Sequence, residues 1–263
     1  MTQPHFPLDD SPQFRMVELD ETTSTNDFLS HFRPVGPERR LTLVTAEQQT
    51  AGRGAGHNRW ESEPGKNLLF SLMVHPRHIR PDRIFLLSEV LSLAICEAVG
   101  LPLSVKWPND IYWGNRKLCG MLVENEMRGQ LVERSIMGVG INVNQTEFAF
   151  DRSRLDGLRR MAEPVSLAQI MGHPLERRFL LEGVVEHFLR YYAWTEQGRQ
   201  DELHQMYLSR LYRKDEVHGF VDAEGPFRGT ITDVEPGGRL VIIDEAGQSR
   251  RYGFKEVEYK IKN

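Results

Sequence analysis

Two segments of this sequence combine positive charge, glycine and a large aromatic ring. The first is GRGAGHNRW at 52–60, where Arg53 stands between two glycines and Trp60 closes the segment. The second is KWPNDIYWGNRKLCG at 106–120, which carries two lysines and an Asn-Asp pair. An anion needs cations and a close approach of the backbone, which glycine permits, and a flat purine packs against an aromatic face. The two segments together predict a site for a nucleotide-like ligand.

Neither segment is one of the common phosphate-binding fingerprints. The loop lacks the Gly-Lys-Ser/Thr ending of a Walker loop, and no predicted helix follows it as in a dinucleotide-binding fingerprint. Taken alone, a Gly-Arg-Gly loop is most often a solvated surface loop, and KWPND is as often part of an ordinary hairpin with exposed lysines. The functional interpretation gains weight because predicted strands at 40–49 and 67–76 flank the loop and fix both of its ends.

The elements that must position these residues alternate between strands and helices. Alternating apolar residues predict strands, and apolar residues at helical spacing after a capping residue predict helices. Gly114-Asn115 is a strong turn signal between two strands. The predicted elements are a strand at 14–19, a helix from Thr22–Ser24 to about Phe32, strands at 40–49 and 67–76, a helix from Asp82 to about Val99, a hairpin of 104–113 and 117–127, a strand at 131–144, a polar loop at 145–165 and helical structure at 166–211.

The pattern changes after Leu211. Short strands with turns at 223–225 and 236–238 fill the remaining residues, at the spacing of a small barrel. We therefore predict an α+β fold with a mixed, mostly antiparallel sheet in residues 1–210. We predict a small SH3-like β-barrel domain in residues 211–263.

Composition and charge exclude several classes of protein. Lysine and arginine total 33 against 37 acidic residues, so the net charge of −4 favours no polyanionic partner. Cys96 and Cys119 alone indicate a reducing compartment rather than a disulfide framework. The apolar stretch at 84–103 carries Glu89 and Glu97 at helical spacing and is typical of a buried helix, not a membrane span. The nine histidines have no ligand spacing, and we expect a soluble, cytoplasmic protein without a zinc site.

Four motifs, in this order, resemble the biotin–protein ligase family. They are STN at 24–26, QQTAGRG with a following tryptophan at 48–60, KWPND with RKLCG at 106–120, and GVGINVN at 138–144. The resemblance is strong over residues 20–145 and weaker in the C-terminal segment. It implies an enzyme that activates biotin with Mg²⁺-ATP to biotinyl-5′-AMP. It further implies transfer of biotin to one lysine of a carrier domain of a biotin-dependent carboxylase, on a core like that of class II aminoacyl-tRNA synthetases and lipoate ligases.

The same resemblance implies roles for individual residues. The biotin-binding positions are Ser24, Thr25, Asn26, Gln49, Arg53, Gly54, Ala55, Lys117, Gly120 and Gly138. The ATP-binding positions are Arg53, Trp60, Lys106, Asn109 and Asn142. The catalytic positions are Arg53, Lys117, Asp110 and Lys106, where the first two face the biotin carboxylate and the α-phosphate and Asp110 assists the acceptor lysine. The metal ligands are not implied.

Two departures from the family pattern carry further expectations. The STN motif comes too early for the winged helix-turn-helix of about 60 residues that makes many relatives repressors, so we expect a monofunctional enzyme, monomer or homodimer, that does not bind DNA. The loop reads Ala55-Gly56-His57 where relatives often carry Arg or Gln at the first position.

Two other functions stay open at this point. Lipoate ligation shares the same core, although the polar set Ser24, Thr25 and Gln49 suits a ureido ring better. A nucleic-acid-binding module is suggested only by the C-terminal strands, and residues 213–263 hold nine basic and ten acidic residues, which gives no electrostatic footprint.

Overall fold

The structure is a computed structural model that describes residues 14–33, 40–56, 58–149 and 162–260. Within these residues the chain forms a seven-stranded sheet covered by helices, followed by a second sheet of five strands. The predicted mixed α+β class with mostly antiparallel strands is confirmed.

The first sheet has one parallel pair of strands and five antiparallel pairs. Its strands lie in the order β1-β2-β3-β7-β6-β5-β4, and β1 and β2 are the parallel pair. Every strand predicted from the sequence between 14 and 144 is present, although the predicted strand 104–113 is two strands separated by a turn. The strands are β1 (Phe14–Thr22), β2 (Leu41–Gln49), β3 (Leu68–Val74), β4 (Ser104–Lys106), β5 (Asp110–Trp113), β6 (Arg116–Arg128) and β7 (Leu131–Ile141).

Five α-helices accompany the two sheets in the described residues. They are α1 (Thr25–His31), α2 (Leu86–Val99), α3 (Leu167–Met171), α4 (Arg177–Glu196) and α5 (Gln200–Ser209). The helix predicted from Asp82 begins four residues later, because a 3₁₀ turn at Pro81–Arg83 comes first. The helical region predicted at 166–211 contains three helices. Among these helices none combines the length and the apolar character that crossing a bilayer requires.

The two faces of the first sheet are covered by different helices. Leu43, Phe70 and Met137 pack with α2 and α4 in the main core. The alternate residues Val44 and Ile136 pack with α1 in a smaller cluster on the opposite face. This division follows from the two-residue period of a strand, which sends neighbouring side chains to opposite faces. The face that carries α1 is the one that bears the polar residues and glycines of the predicted site.

The second sheet is open in the structure. Its strands are β8 (Val217–Asp222), β9 (Gly225–Val234), β10 (Leu240–Asp244), β11 (Ser249–Tyr252) and β12 (Glu258–Tyr259). They lie in the order β11-β10-β9-β8-β12, and the described residues show no pairing between the edge strands β11 and β12. Short strands are present in this region as predicted, but the predicted SH3-like barrel is not confirmed.

Hydrogen bonds connect the C-terminal part of the chain to the edge of the first sheet at β4 and the turn that follows it. The backbone N–H of Val105 in β4 donates to the Arg210 carbonyl at 2.7 Å, and the N–H of Tyr212 donates to the Val105 carbonyl at 2.9 Å. The Trp107 indole N–H donates to the Gly238 carbonyl at 2.9 Å. The domain boundary at 210/211 stays a prediction, and this junction brings residues beyond it close to the site.

Both cysteines are free and buried, as the composition predicted. Cys96 lies in α2 and Cys119 in β6, and both belong to the main core. Burial raises the pKa of Cys96 to about 12, so the thiol stays protonated and unreactive at neutral pH.

Candidate active site

A cavity of about 510 Å³ opens where the loop after β2, the turn between β4 and β5, and the second sheet meet. The two sequence segments that predicted a ligand site therefore come together in space. Of the predicted site residues, Asn142 alone does not line the cavity. Those that do are Ser24, Thr25, Asn26, Gln49, Arg53, Gly54, Ala55, Trp60, Lys106, Asn109, Asp110, Lys117, Gly120 and Gly138.

Helix α1 presents the STN motif at its first turn. The Ser24 side chain caps the helix by accepting from the Asp27 N–H at 3.5 Å. At the other end, the guanidinium of Arg134 in β7 donates to the carbonyls of Leu29 at 3.2 Å and Ser30 at 3.0 Å. A seven-residue helix is unstable alone, so these contacts and the packing of Leu29 fix its position on the sheet.

A group of polar side chains at one end of the cavity is joined by hydrogen bonds. The Gln49 side-chain oxygen accepts from the Thr25 N–H at 2.7 Å and from the Thr25 hydroxyl at 3.1 Å. The hydroxyl of Ser71 lies 2.7 Å from both Thr25 Oγ1 and Asn26 Oδ1. The Asn26 amide donates to the Leu122 carbonyl at 3.2 Å. Because these residues hold one another, their polar atoms are preorganised for a small ligand with several hydrogen-bonding groups.

The floor of the cavity consists of glycines on β6 and β7. Gly120 and Gly140 face each other in the sheet, and Gly138 lies two residues before Gly140. The Trp60 ring covers this floor, so that a Cβ on Gly140 would stand 2.6 Å from its indole nitrogen. A Cβ on Gly138 would stand 2.9 Å from Cγ of Asn26. Side chains at these positions would collide with the Trp60 ring or with Asn26, so the glycines allow these residues to pack against the sheet. The resemblance marked two of the three positions.

The Trp60 indole N–H has no hydrogen-bond partner among the described residues, although it is buried. A buried donor without a partner loses the hydrogen bond that water would supply. Lys117 Nζ lies 5.6 Å from the centre of the same ring. The ring therefore combines a cation contact with a buried donor that has no partner among the described residues.

Arg53 points to two carboxylates in this structure. Its guanidinium lies 2.5 Å from Asp27 and 2.6 Å from Glu124, and its side chain is 43% exposed. Partial burial lowers the pKa of Arg53, but the hydrogen bonds to Asp27 and Glu124 outweigh it, so the pKa lies above its usual value. The arginine is permanently charged and is held at the cavity by groups that an anionic ligand can replace.

The two lysines of the second segment differ in their surroundings. Lys117 pairs with Asp110 across the β5–β6 hairpin, with 2.7 Å between Nζ and Oδ1. Lys106 Nζ lies 4.7 Å from the ring centre of Tyr259 and 5.7 Å from that of Tyr112. Burial lowers the pKa of Lys106, and the negative charge of Asp110 partly offsets this effect. Lys106 is therefore the lysine of the cavity that loses its proton more easily than a free lysine.

Asn109 shapes the turn that carries these groups. Its side-chain amide donates to the Met121 carbonyl at 2.5 Å, and its backbone carbonyl accepts from the Met121 N–H at 2.8 Å. The peptide bond between Trp107 and Pro108 is cis. The turn between β4 and β5 is thereby tied to β6, which brings Lys106 and Asp110 to the same side of the hairpin.

Asn142 lies behind the cavity. It is 3% exposed, and its side-chain amide donates to the carbonyls of Val165 at 3.2 Å and Lys117 at 3.4 Å. Its backbone carbonyl accepts from the Leu167 N–H at 3.0 Å. These bonds hold the start of α3 to the sheet, and the ATP contact of Asn142 stays a prediction. His57 of the glycine-rich loop lies outside the described residues.

Several residues that line the cavity or bind its lining side chains were missed in the sequence. Ser71 carried a signal, because it is the one hydroxyl in the apolar strand LLFSLMV. No sequence signal marked Glu124, which binds Arg53. None marked Lys255 or Tyr259, two residues of the second sheet that line the cavity. Their approach to the site depends on how distant segments pack, which no local pattern contains.

Comparison with known proteins places this site in a family. Residues 18–142 match the model of the biotin/lipoate A/B protein ligase family. Over these residues the chain is similar to that family. The matched region runs from β1 to the end of β7 and contains the glycine-rich loop, the KWPND turn and the glycine floor.

Individual relatives agree with the family match. A bifunctional ligase/repressor of Bacillus subtilis is 36% identical over 151 residues, which are 56% of this chain and 43% of that protein. The chain thus spans less than half the length of that relative. A biotin–[acetyl-CoA-carboxylase] ligase of Paracoccus denitrificans is 27% identical over 215 residues, covering 78% of this chain and 85% of that protein. A structure of biotin protein ligase from Aquifex aeolicus in complex with biotin and ATP has a TM-score of 0.74 at 25% identity, covering 94% of this chain and 99% of that chain.

Proposed function

We propose that this protein is a biotin–protein ligase, which joins biotin to AMP with release of pyrophosphate and then transfers biotin to a lysine of a carrier domain. The observation that carries the proposal is a single cavity in which fixed polar groups lie beside a glycine floor and several cations. Such a cavity suits a small polar ring at one end and a phosphate at the other. The names of the Paracoccus and Aquifex relatives support biotin and ATP as the ligands.

The polar group of α1 and β3 is proposed to hold the ureido ring of biotin. This ring offers two N–H donors and one carbonyl acceptor in a plane, and Thr25, Asn26, Gln49 and Ser71 present both kinds of partner. All four side chains are already positioned by mutual hydrogen bonds, so little conformational entropy is lost when the ring binds. A lipoyl dithiolane ring has no groups to satisfy these buried atoms, which favours biotin over lipoate.

Activation of biotin is limited by electrostatic repulsion. A biotin carboxylate oxygen bonds to the α-phosphorus of ATP while the bond from that phosphorus to the bridging oxygen breaks, and pyrophosphate leaves with the electron pair. Two anions must approach each other, so cations placed beside them lower the barrier. Arg53 and Lys117 are proposed to exchange their carboxylate partners for the biotin carboxylate and the α-phosphate.

Transfer of biotin needs a neutral amine. At pH 7, roughly four in ten thousand free lysines are neutral, because their pKa is near 10.4. The carrier lysine nitrogen bonds to the biotinyl carbonyl carbon, AMP leaves with its bonding electrons, and the amine loses a proton. Asp110 is proposed to accept that proton or to orient the amine, with Lys106 beside it.

Magnesium is proposed to enter as the complex with ATP. Among the described residues, no group of three or more His, Cys, Asp or Glu side chains could hold a metal ion. The carboxylates nearest to the cations, Asp110 and Glu124, are engaged with Lys117 and Arg53. The residues present therefore do not form a resident metal site, and Mg²⁺-ATP is written as the substrate.

The finer assignments are part of the same proposal. Residues 1–210 form a catalytic domain like that of class II aminoacyl-tRNA synthetases and lipoate ligases, and residues 211–263 form a domain related to SH3-like folds. The carrier is a domain of a biotin-dependent carboxylase, and the reaction takes place in the cytoplasm.

A biotin-carrier domain incubated with the protein, ATP, Mg²⁺ and biotin tests the proposal by mass spectrometry. The expected result is one biotinyl addition to one lysine, together with one pyrophosphate released per biotin. A parallel incubation with lipoate is expected to leave the carrier unmodified. A carrier that gains lipoate and no biotin would overturn the proposal.

A further inference from the structure

Lys255 lies at the mouth of the cavity on the turn between β11 and β12. The turn is held by the Gly253 N–H, which donates to Glu256 Oε2 at 2.6 Å, and by the Glu256 N–H, which donates to the Gly253 carbonyl at 3.2 Å. Lys255 and its neighbour Phe254 both line the cavity. The second sheet therefore places a lysine at a site whose other cations come from the first sheet and its loops.

The backbone of Lys255 is in the left-handed region, with φ 66°. This conformation favours glycine, because a Cβ is crowded against the following carbonyl. Strained residues of this kind concentrate at ligand sites, where the position of the side chain justifies the strain. Arg213 and Asp215 share this conformation away from the cavity, so the position of the Lys255 side chain carries the argument.

The side chain of Lys255 crosses to the glycine-rich loop. Its ammonium occupies the place that a Cβ on Gly56 would take. The distance from the Lys255 Cε to that Cβ position is 3.3 Å. Gly56 lies three residues after Arg53 in the same loop. The ammonium of Lys255 thus joins the second sheet to the loop that carries the predicted catalytic arginine.

Lys255 forms no hydrogen bond or ion pair with any residue that the structure describes, and its ammonium lies 5.3 Å from the centre of the Phe254 ring. Arg53 and Lys117, in contrast, are each bound to a carboxylate. An exposed ammonium without a carboxylate partner is available to an anion that enters the mouth of the cavity.

We propose that Lys255 binds the β- and γ-phosphates of ATP, the part that leaves as pyrophosphate. This inference rests on the proposed function. Arg53 and Lys117 would meet the α-phosphate and the biotin carboxylate, so the distal phosphates extend to the mouth, through which pyrophosphate must depart. Lys255 forms no covalent bond. It compensates the charge of the leaving group.

Steady-state kinetics of Lys255→Gln and Lys255→Arg test this proposal. The glutamine variant is expected to raise the KM for ATP about tenfold, the effect of losing one charge-assisted hydrogen bond, and to leave the KM for biotin unchanged. Lys255→Arg keeps the charge and is expected to stay near wild type. Lys66→Gln, at an exposed lysine outside the cavity, is the matched control and is expected to have no effect.

The two half-reactions separate a phosphate contact from a structural role. Biotinyl-5′-AMP lacks the distal phosphates, so transfer from preformed adenylate should proceed at the same rate in Lys255→Gln and in wild type. Equal slowing of both half-reactions, or an unchanged KM for ATP, would overturn the proposal. If the wild-type protein forms no biotinyl-5′-AMP at all, the proposed function fails instead.

Lys255→Gly provides an independent measurement. Glycine relieves the left-handed backbone and removes the charge, so this variant is expected to unfold at a higher temperature than Lys255→Gln while binding ATP as weakly. Binding of ATP by Lys255→Gly as tight as by wild type would show that the lysine serves the turn and not the nucleotide.

Discussion

Gly138→Ala is the substitution that examines the glycine floor most directly. The added Cβ would meet the Asn26 side chain, 2.9 Å from its Cγ and closer still to its oxygen. Asn26 cannot move without loss, because it accepts from Ser71 and donates to the Leu122 carbonyl and to Glu124. The backbone of Gly138 is outside the left-handed region, so the clash with Asn26 is the main consequence.

The magnitude follows from the hydrogen bonds of Asn26. Three bonds at about 1 kcal/mol each give a loss of about 3 kcal/mol when the side chain is displaced. Alanine restricts the unfolded chain more than glycine does, which returns roughly 0.5–1 kcal/mol. We expect Gly138→Ala to lower the free energy of unfolding by about 2 kcal/mol, a decrease in Tm of roughly 4–8 °C for a chain of this size.

Thermal unfolding and calorimetric titration with biotin measure the two expected effects. Biotin affinity should fall about tenfold or more, because Asn26 no longer holds the polar group in place. Gly183→Ala in α4 is the matched control: its Cβ would meet Ala98 at 3.4 Å, and the change should stabilise the helix by about 0.5–1 kcal/mol.

A double substitution decides whether Asn26 is the cause. In an Asn26→Ala background the new methyl group displaces no amide, so the additional cost of Gly138→Ala should fall below about 0.5 kcal/mol. The reasoning is refuted if Gly138→Ala costs the same with and without Asn26, or if the single variant unfolds and binds biotin as wild type does.

Three further predictions concern the charged groups and the loop. Arg53→Ala and Lys117→Ala should each slow biotinyl-5′-AMP formation by at least about 10² with the fold intact, and near-normal pyrophosphate release would remove that residue from the catalytic set. Ala55→Arg should slow release of biotinyl-5′-AMP about tenfold if it adds one charge-assisted hydrogen bond, which stopped-flow off-rates equal to wild type would contradict. Hydrogen bonds to Glu89 and Asp233 raise the pKa of His204, so its stabilising charge is fully present below about pH 6.5 and is lost as pH rises through the raised value. The Tm difference between wild type and His204→Gln should therefore be larger at pH 6 than at pH 8.5, and a difference independent of pH would exclude this role.

The parts of the fold that were predicted from the sequence are those fixed by local pattern. Strand β3 alternates between the two faces of the sheet, and Gly114 takes a positive φ in the β5–β6 hairpin, as its turn signal indicated. Local pattern could not predict whether the second sheet closes into a barrel. Whether β11 and β12 pair depends on the curvature of the whole sheet, and alternation within each strand is the same for an open and a closed arrangement.

The candidate site shows the same distinction between what local pattern predicts and what it does not. The residues that line the cavity were found because the motifs hold their chemistry within a few positions of one another. The partners of these residues were not found, since Glu124 lies 71 residues after Arg53 and Tyr259 lies 153 residues after Lys106. Asn142 shows what a motif leaves open: a motif position identifies a residue type but not the direction of its side chain, and here the amide donates to backbone carbonyls, so its ATP contact stays a prediction.

The charge pairs that line the cavity have a consequence for the order of the two proposed reactions. Arg53 is bound to Asp27 and Glu124, and Lys117 is bound to Asp110, so cations that would repel one another are balanced before a ligand enters. Pairs as exposed as that of Arg53 contribute little net stability, and a phosphate can replace the carboxylate at small cost. In the proposed reaction Lys117 turns to the α-phosphate, and Asp110 then loses its partner. The carboxylate would be free to accept a proton only after the adenylate occupies the site, which is when the acceptor lysine needs it.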